Sequence, residues 1–406
     1  MTAIYLMWNN NGFALAADSN QTAAANNQTW VDSVEKIISI DGHQIAFGAS
    51  GSATLEGVEV NEIVRSWAKR LPDNHFKHFD DYLVDFLSYF GSLQLPHAGY
   101  GDRDRKEFIK KELEILKEEL DENNGDLILT REKWIDSLKH NVWNLNLYGT
   151  RWEDLNNTQD FIETLTEVTL EKISRTEAIR DRVLKNVPID VRRMVGNPAL
   201  DKYIDSYVAE PFPEIFGETY NPQNANHVLI TEIMTINLEN RFDFEAPIEF
   251  IFTGYGEEDW VPSAVKLKVA SRVHGTPRIA IAQIATPLTD WYLSLAIDSG
   301  VNALVRGIGG YSRSRLMELA EPHLKKNHEE PFNQALLDSG SKQFENAMGK
   351  IDSLTISRLE YVARLFVQIE ALQSYLNEPV PGVGGDTRII SMTKNTKSEK
   401  LIQEMP

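Results

Sequence analysis

The sequence predicts an α+β protein, and three observations carry that reading. Short alternating strands in two hairpins fill roughly the first fifty residues. Charged segments with helical periodicity occupy the middle of the chain. Strand signals return at Pro247, and a long amphipathic helix and a last strand close the sequence. Over 406 residues, this succession favours two or three structural units.

Composition excludes several classes of function. A net charge of −19 repels phosphates, so no nucleic-acid partner is expected. Without cysteine there is no disulfide, thiolate metal site or cysteine nucleophile. No basic-then-apolar leader precedes the first strand and no run of 18 apolar residues occurs, so a cytoplasmic protein without a membrane partner is expected.

Ala3 to Trp8 alternate and are rich in large or β-branched side chains, and Asn9-Asn10-Asn11-Gly12 supplies left-handed turn chemistry. Phe13 to Ala17 runs back as an apolar strand that stops at Asp18-Ser19. A polar loop spans Asn20 to Asp32. Lys36 to Ile40 and Gln44 to Phe47 then pair across Asp41-Gly42-His43, ending in a small-residue turn, Gly48 to Ala53.

Thr2 after the initiator Met, GFALAADSNQT (Gly12–Thr22), VEKIISID (Val34–Asp41) and IAFGASGSA (Ile45–Ala53) together resemble the proteasome β-subunit family, HslV included. The resemblance implies an N-terminal-nucleophile hydrolase with a four-layer αββα sandwich. It implies Thr2 as nucleophile, Lys36 as electrostatic activator, Asp18 as its partner and the Gly48 amide as oxyanion donor. It places Thr22 along a bound peptide, and Gln21, Val34, Ile38, Ala46 and Ser50 around the specificity pocket.

The residue types suit that chemistry. A threonine hydroxyl needs an adjacent base, and an N-terminal threonine carries one in its α-amine, which titrates at about pH 8. Trimming of Met before a small residue would free it. A nearby ammonium lowers the pKa of amine and hydroxyl, and a buried lysine requires an anion such as Asp18. Each piece also has a plain reading: Thr2 as a signal for Met removal, Asp18 as a turn residue, Lys36 as a solvated strand end, Gly48–Ala53 as a tight loop. The serine-elbow alternative fails because Ser52 replaces its last glycine.

Further along, Leu55 to Leu71 and Asp80 to Leu93 have helical spacing. From Pro96 to Asn240 the pattern departs from the family. Ile109, Leu113, Leu116 and Leu120 mark one charged helix there, with others near Arg131–Asn144, Thr158–Lys185 and Ala199–Val208. Strands resume at Pro247–Gly254, Ala264–Val269 and Arg278–Ala285, followed by an expected helix at Asp290–Gly307. Gly307-Ile308-Gly309-Gly310 lacks the strand and lysine of a phosphate loop. Thr355–Tyr375 is a helix, Gly384–Asn395 the last strand, and Thr396–Pro406 a frayed tail.

The expected organisation is thus a first half-domain (1–95), an inserted helical subdomain (96–240), and a second half-domain (241–406) with a shorter insertion near 312–350. Two departures touch the mechanism. Thr286 and Thr289 stand where the family's auxiliary serine would be, and Val380 and Val383 where an acid and a serine precede the last strand. His75 and His78 near Asp80 and Asp81 lack a third ligand, and neither metal nor cofactor is expected.

The resulting expectation is a threonine peptidase acting on peptides or unfolded protein, with a hydrophobic or neutral residue preferred before the scissile bond. The resemblance implies a homo-oligomer, as a ring or stack, with an unfoldase ATPase as a candidate partner. An amidase or transpeptidase on a specific ligand, and an inactive assembly subunit, are the alternatives.

Overall fold

The computed structural model describes residues 2–25, 28–93, 102–122, 125, 167–186, 198–240, 247–273, 276–285, 292–296, 300–301, 350–377 and 382–403. Its strands, in chain order, begin with β1 (Ala3–Asn9), β2 (Gly12–Asp18), β3 (Asn20–Ala25), β4 (Gln28–Ser33), β5 (Ile37–Ser39) and β6 (Ile45–Ser50). They continue with β7 (Thr54–Leu55), β8 (Val58–Glu59), β9 (Ile248–Gly254), β10 (Ser263–Val273), β11 (Thr276–Ala285), β12 (Tyr292–Ala296), β13 (Thr387–Thr393) and β14 (Thr396–Ile402). The helices are α1 (Val60–Ala68), α2 (Phe79–Ser92), α3 (Asp102–Glu122), α4 (Glu167–Asn186), α5 (Pro198–Ala209), α6 (Phe212–Phe216), α7 (Ala225–Asn240) and α8 (Ile356–Asn377).

This is a mixed α+β fold with two antiparallel five-stranded sheets. One sheet runs β12-β1-β2-β13-β14 and the other β11-β10-β9-β6-β5. The alternation of β1 and β2 explains their place. Ile4, Leu6, Trp8, Phe13 and Leu15, with Leu295 of their own sheet, share an apolar core with Ile37, Ala46 and Ile251 of the facing sheet. Their alternates Ala3, Tyr5, Met7, Ala14 and Ala16 pack with Leu359, Ala363 and Phe366 of α8. Both faces of β1 and β2 are therefore buried, which is why these strands read as near-continuous apolar runs.

The second sheet turns Phe47, Phe250, Phe252, Val265 and Leu267 toward Trp67 of α1 and Phe86 of α2. Phe47 and Phe252 meet edge to face with ring centres 4.4 Å apart, and Phe47 and Trp67 do so at 5.6 Å. Ile179 and Val183 of α4 enter the same core. In the middle of the chain, α3, α5, α6 and α7 build a separate core from Phe108, Ile109, Leu113, Leu116, Tyr207, Phe212 and Met234.

Several expectations are corrected here. The polar loop Asn20–Asp32 is a β3–β4 ribbon, in which Thr22 pairs with Val31 and Ala23 with Trp30; the β-branched and aromatic residues of β4 favour extension. Leu55–Leu71 divides into the β7–β8 hairpin and a shorter helix, because Gly57 at φ 84° closes a turn before Val60. The stretch expected as a helix at Asp290–Gly307 contains strand β12, whose Leu293 and Leu295 alternate into the core opposite Leu6 and Ile4. The tail expected to fray forms β14, an edge strand carrying lysines that pairs with β13 along its length. The helix expected at Arg131–Asn144, the Gly307–Gly310 run, Thr286, Thr289 and Val380 lie outside the described residues.

The turn expected at Gly48–Ala53 starts late. Strand β6 continues to Ser50, and the chain bends at Gly51, where φ is 93°. A Cβ there would stand 2.3 Å from the Pro247 carbonyl oxygen. Gly51→Ala is therefore expected to lower stability by about 1–3 kcal/mol, read as a drop in thermal melting temperature.

Candidate active site

Strand β2 delivers Asp18 to the rim of the core, opposite Thr387 of β13. Asp18 is 2% exposed, and three donors hold its carboxylate. Oδ1 accepts the Ala3 backbone N–H at 2.9 Å and Lys36 Nζ at 2.8 Å. Oδ2 accepts the Gly384 N–H at 3.1 Å. The peptide joining Thr2 to Ala3 is thus bound to the same oxygen as the Lys36 cation. Thr2 itself is half-buried at the mouth of β1.

Each partner is held in turn. The Gly384 carbonyl accepts the N–H groups of Ser19 and Asn20 at 3.2 and 3.1 Å, and Ser374 Oγ accepts those of Gly382 and Val383 at 3.0 and 3.3 Å. Lys36 stands just before β5, where its carbonyl accepts the Ala49 N–H at 2.9 Å. Its neighbour Glu35 pairs with Arg65 of α1 and Arg388 of β13.

Burial dominates the electrostatics of this pair. It pushes the Asp18 carboxyl up from its ordinary range, against the lowering effects of Lys36 and the Ala3 and Gly384 amides. It pushes the Lys36 ammonium down, against the raising effect of Asp18. Each group thereby depends on the other for its charge.

Other expected site residues fall in different places. Gly48 lies within β6, opposite Ile37 on one side and Ile251 on the other. The Ala49 N–H goes to Lys36 of the β5 side, and the Tyr255 N–H reaches Gln44 across the β9 side. Antiparallel alternation then turns the Gly48 amide toward Ile251 and into the sheet, not toward an open turn. Ile38 packs on the helix-facing side with Phe47 and Trp67. Ala46 is fully buried between the sheets, deeper than Gly48. Ser50 remains on the inner face at the end of β6, and Val34 is half-buried, its N–H on the Ser19 carbonyl at 2.8 Å. Gln21 and Thr22 lie in β3, paired with Asp32 and Val31.

His75 and His78 do not converge. His78 Nδ1 meets Asp259 Oδ1 at 3.0 Å, while His75 Nδ1 approaches the Tyr82 hydroxyl at 3.4 Å. Among the described residues no group of three or more His, Asp or Glu side chains is placed to hold a metal, and no helix is long and apolar enough to cross a membrane.

No family model matches the chain. A search of curated proteins likewise finds no match. Among solved structures, the chain is similar to an Anbu (Gly-1) mutant from Hyphomicrobium sp. strain MC1, at 9% identity and a TM-score of 0.32. That match covers 99% of this chain and 88% of the other. Because no family model and no curated protein matches, membership of the proteasome β-subunit and HslV family, expected from the N-terminal motifs, is corrected: those short motifs do not amount to a family match.

Sequence reasoning missed the Gly384 amide, which reaches Asp18 across 366 residues of chain. The glycine pair before the last strand was its signal. It also missed Glu249, Lys266 and Lys268 on the inner face of β9 and β10, signalled by charges at alternate positions in apolar strands.

Proposed function

We propose that this protein is an N-terminal-nucleophile hydrolase that cleaves peptide bonds through an ester formed on Thr2. One observation carries the reading: a buried carboxylate holds both the backbone beside Thr2 and a buried lysine cation. A structural ion pair needs no such contact with the chain's first strand residue. In this reading the two sheets and their flanking helices form a four-layer αββα sandwich, with the site at one end of the space between the sheets.

The chemistry follows from removal of Met1. The freed Thr2 amine takes the hydroxyl proton as Oγ attacks the substrate carbonyl. Collapse of the tetrahedral intermediate breaks the C–N bond, and the α-ammonium returns its proton to the departing amine. Water, deprotonated by the same amine, then attacks the ester carbonyl, and the ammonium returns that proton to Thr2 Oγ as the C–O bond breaks and the acid product leaves. Lys36 holds the amine and hydroxyl toward their deprotonated forms, and Asp18 keeps Lys36 charged. For Gly48 to serve as the oxyanion donor, its amide must rotate away from Ile251.

A β-lactone probe followed by intact mass spectrometry tests this. The expected product lacks Met1 and carries one probe on Thr2. Protein that keeps Met1, or takes no label, overturns the proposal.

A further inference from the structure

The inner face of the β9–β10 sheet carries a charged row at the Thr2 end of the space between the sheets. Three contacts fix the alignment. At one end the Phe13 ring stacks on Tyr255, 6.3 Å between centres, and the Tyr255 N–H bonds the Gln44 carbonyl. Four residues further along β6, a Cβ on Gly48 would stand 3.2 Å from Ile4 of β1. Moving from Trp8 to Ile4 on one sheet therefore matches moving from Gln44 to Gly48 on the other. Two more residues bring Thr2 and Ser50 to the same end.

Ser50 pairs with Glu249, and Glu249 pairs with Lys268. Alternation puts all three on the inner face, since Ile248, Phe250, Leu267 and Val269 face the helix-side core while Ile251 and Ala264 face the other sheet. Lys266, one step deeper, shares that face. Its Nζ meets Glu249 Oε2 at 3.2 Å and the Ser294 carbonyl at 3.1 Å. Lys268 Nζ stays 3.7 Å from Glu249 Oε1, beyond hydrogen-bond reach. Side-chain exposure rises from 20% at Lys266 to 40% at Lys268, so the row opens to solvent at the Thr2 end. Beside Lys266 the pairing with β11 shifts register, an irregularity of the kind that re-aims side chains near functional sites.

The charge count decides what fits. Among the described contacts of this row, Lys266 and Lys268 share the Glu249 carboxylate, and the outer lysine is loosely held. An incoming anion supplies the second negative charge, whereas a cation would be a third positive one. The overall charge of −19 does not reverse this, because salt screens distant charges beyond about 8 Å.

Resting on the hydrolase reading above, we infer that Ser50, Glu249 and Lys268 form a subsite for a carboxylate-bearing substrate side chain, an aspartate or glutamate next to the scissile bond. Lys268 binds that carboxylate, and Glu249 and Lys266 hold the row in place. This replaces the neutral preference expected from Ala46 and Ser50, since Ala46 is sealed inside the core.

The test compares kcat/KM for paired fluorogenic peptides with Glu or Gln before the cleaved bond. The parent protein should favour Glu by about five- to tenfold, the range of a half-exposed charge-assisted contact. Lys268→Gln should bring that ratio close to one, and Glu249→Gln, which leaves both cations unbalanced, should raise it. A parent that labels at Thr2 with the lactone but shows no Glu preference overturns the subsite and leaves the hydrolase reading standing. An unchanged ratio in Lys268→Gln overturns the subsite in the same way. A parent that neither labels nor cleaves overturns both.

Discussion

Thr2→Ala is expected to reduce peptide cleavage by about a thousandfold or more while leaving the fold intact. The size follows from the chemistry: without the hydroxyl no ester forms, and no other hydroxyl in the chain sits beside its own α-amine. The fold should survive because Thr2 precedes β1 and contributes no side chain to the strand register. Thr2→Ser supplies the control, since it keeps a hydroxyl and the α-amine. Its rate should fall far less than that of the alanine variant. Cleavage by Thr2→Ala at the parent rate would place the nucleophile elsewhere.

Asp18→Ala should damage stability and activity together. It removes the carboxylate from a buried cation and takes the acceptor from the Ala3 and Gly384 amides. Breaking one side of a buried pair costs about 3–5 kcal/mol, visible as a shift in the denaturant midpoint. Pairing Asp18→Ala with Lys36→Met removes the stranded charge, so the double variant should recover part of the stability and none of the activity. Recovery of activity would show that the pair is structural only.

The same pair sets the pH profile. In the proposed mechanism, activity requires Lys36 charged and Asp18 ionised. Because burial raises the carboxyl above 3.8, the acid limb should lie above that value; because burial lowers the ammonium below 10.5, the alkaline limb should lie below it. A bell drawn inward on both sides is the expected curve of kcat/KM against pH, with the α-amine contributing to the acid limb.

Much of the first sheet was legible in the sequence. The alternation of Ala3–Trp8 and the glycine turn specify β1 and β2 by local sterics alone, and Asp18, the partner expected for Lys36, meets it from the sheet that faces β5. What stayed hidden depends on distant chain. The short run Tyr292–Ala296 cannot reveal by periodicity alone that it extends beside β1. The β3–β4 ribbon pairs the backbone of residues that read as loop in the sequence. The orientation of the Gly48 amide is fixed by β9, about 200 residues onward, and not by the glycine itself. Gly384 likewise reaches Asp18 only once β13 has docked on β2.

The helix Glu167–Asn186 has a bearing on protein engineering. It inserts Ile179 and Val183 among the aromatic residues beneath α2, and Arg175 and Arg182 clasp Asp80 and Asp81 of that helix. A trimmed version that splices residue 95 to residue 241 would thus tear away part of the roof over the second sheet and strand two carboxylates. Any shortening of the midsection must therefore keep that rod.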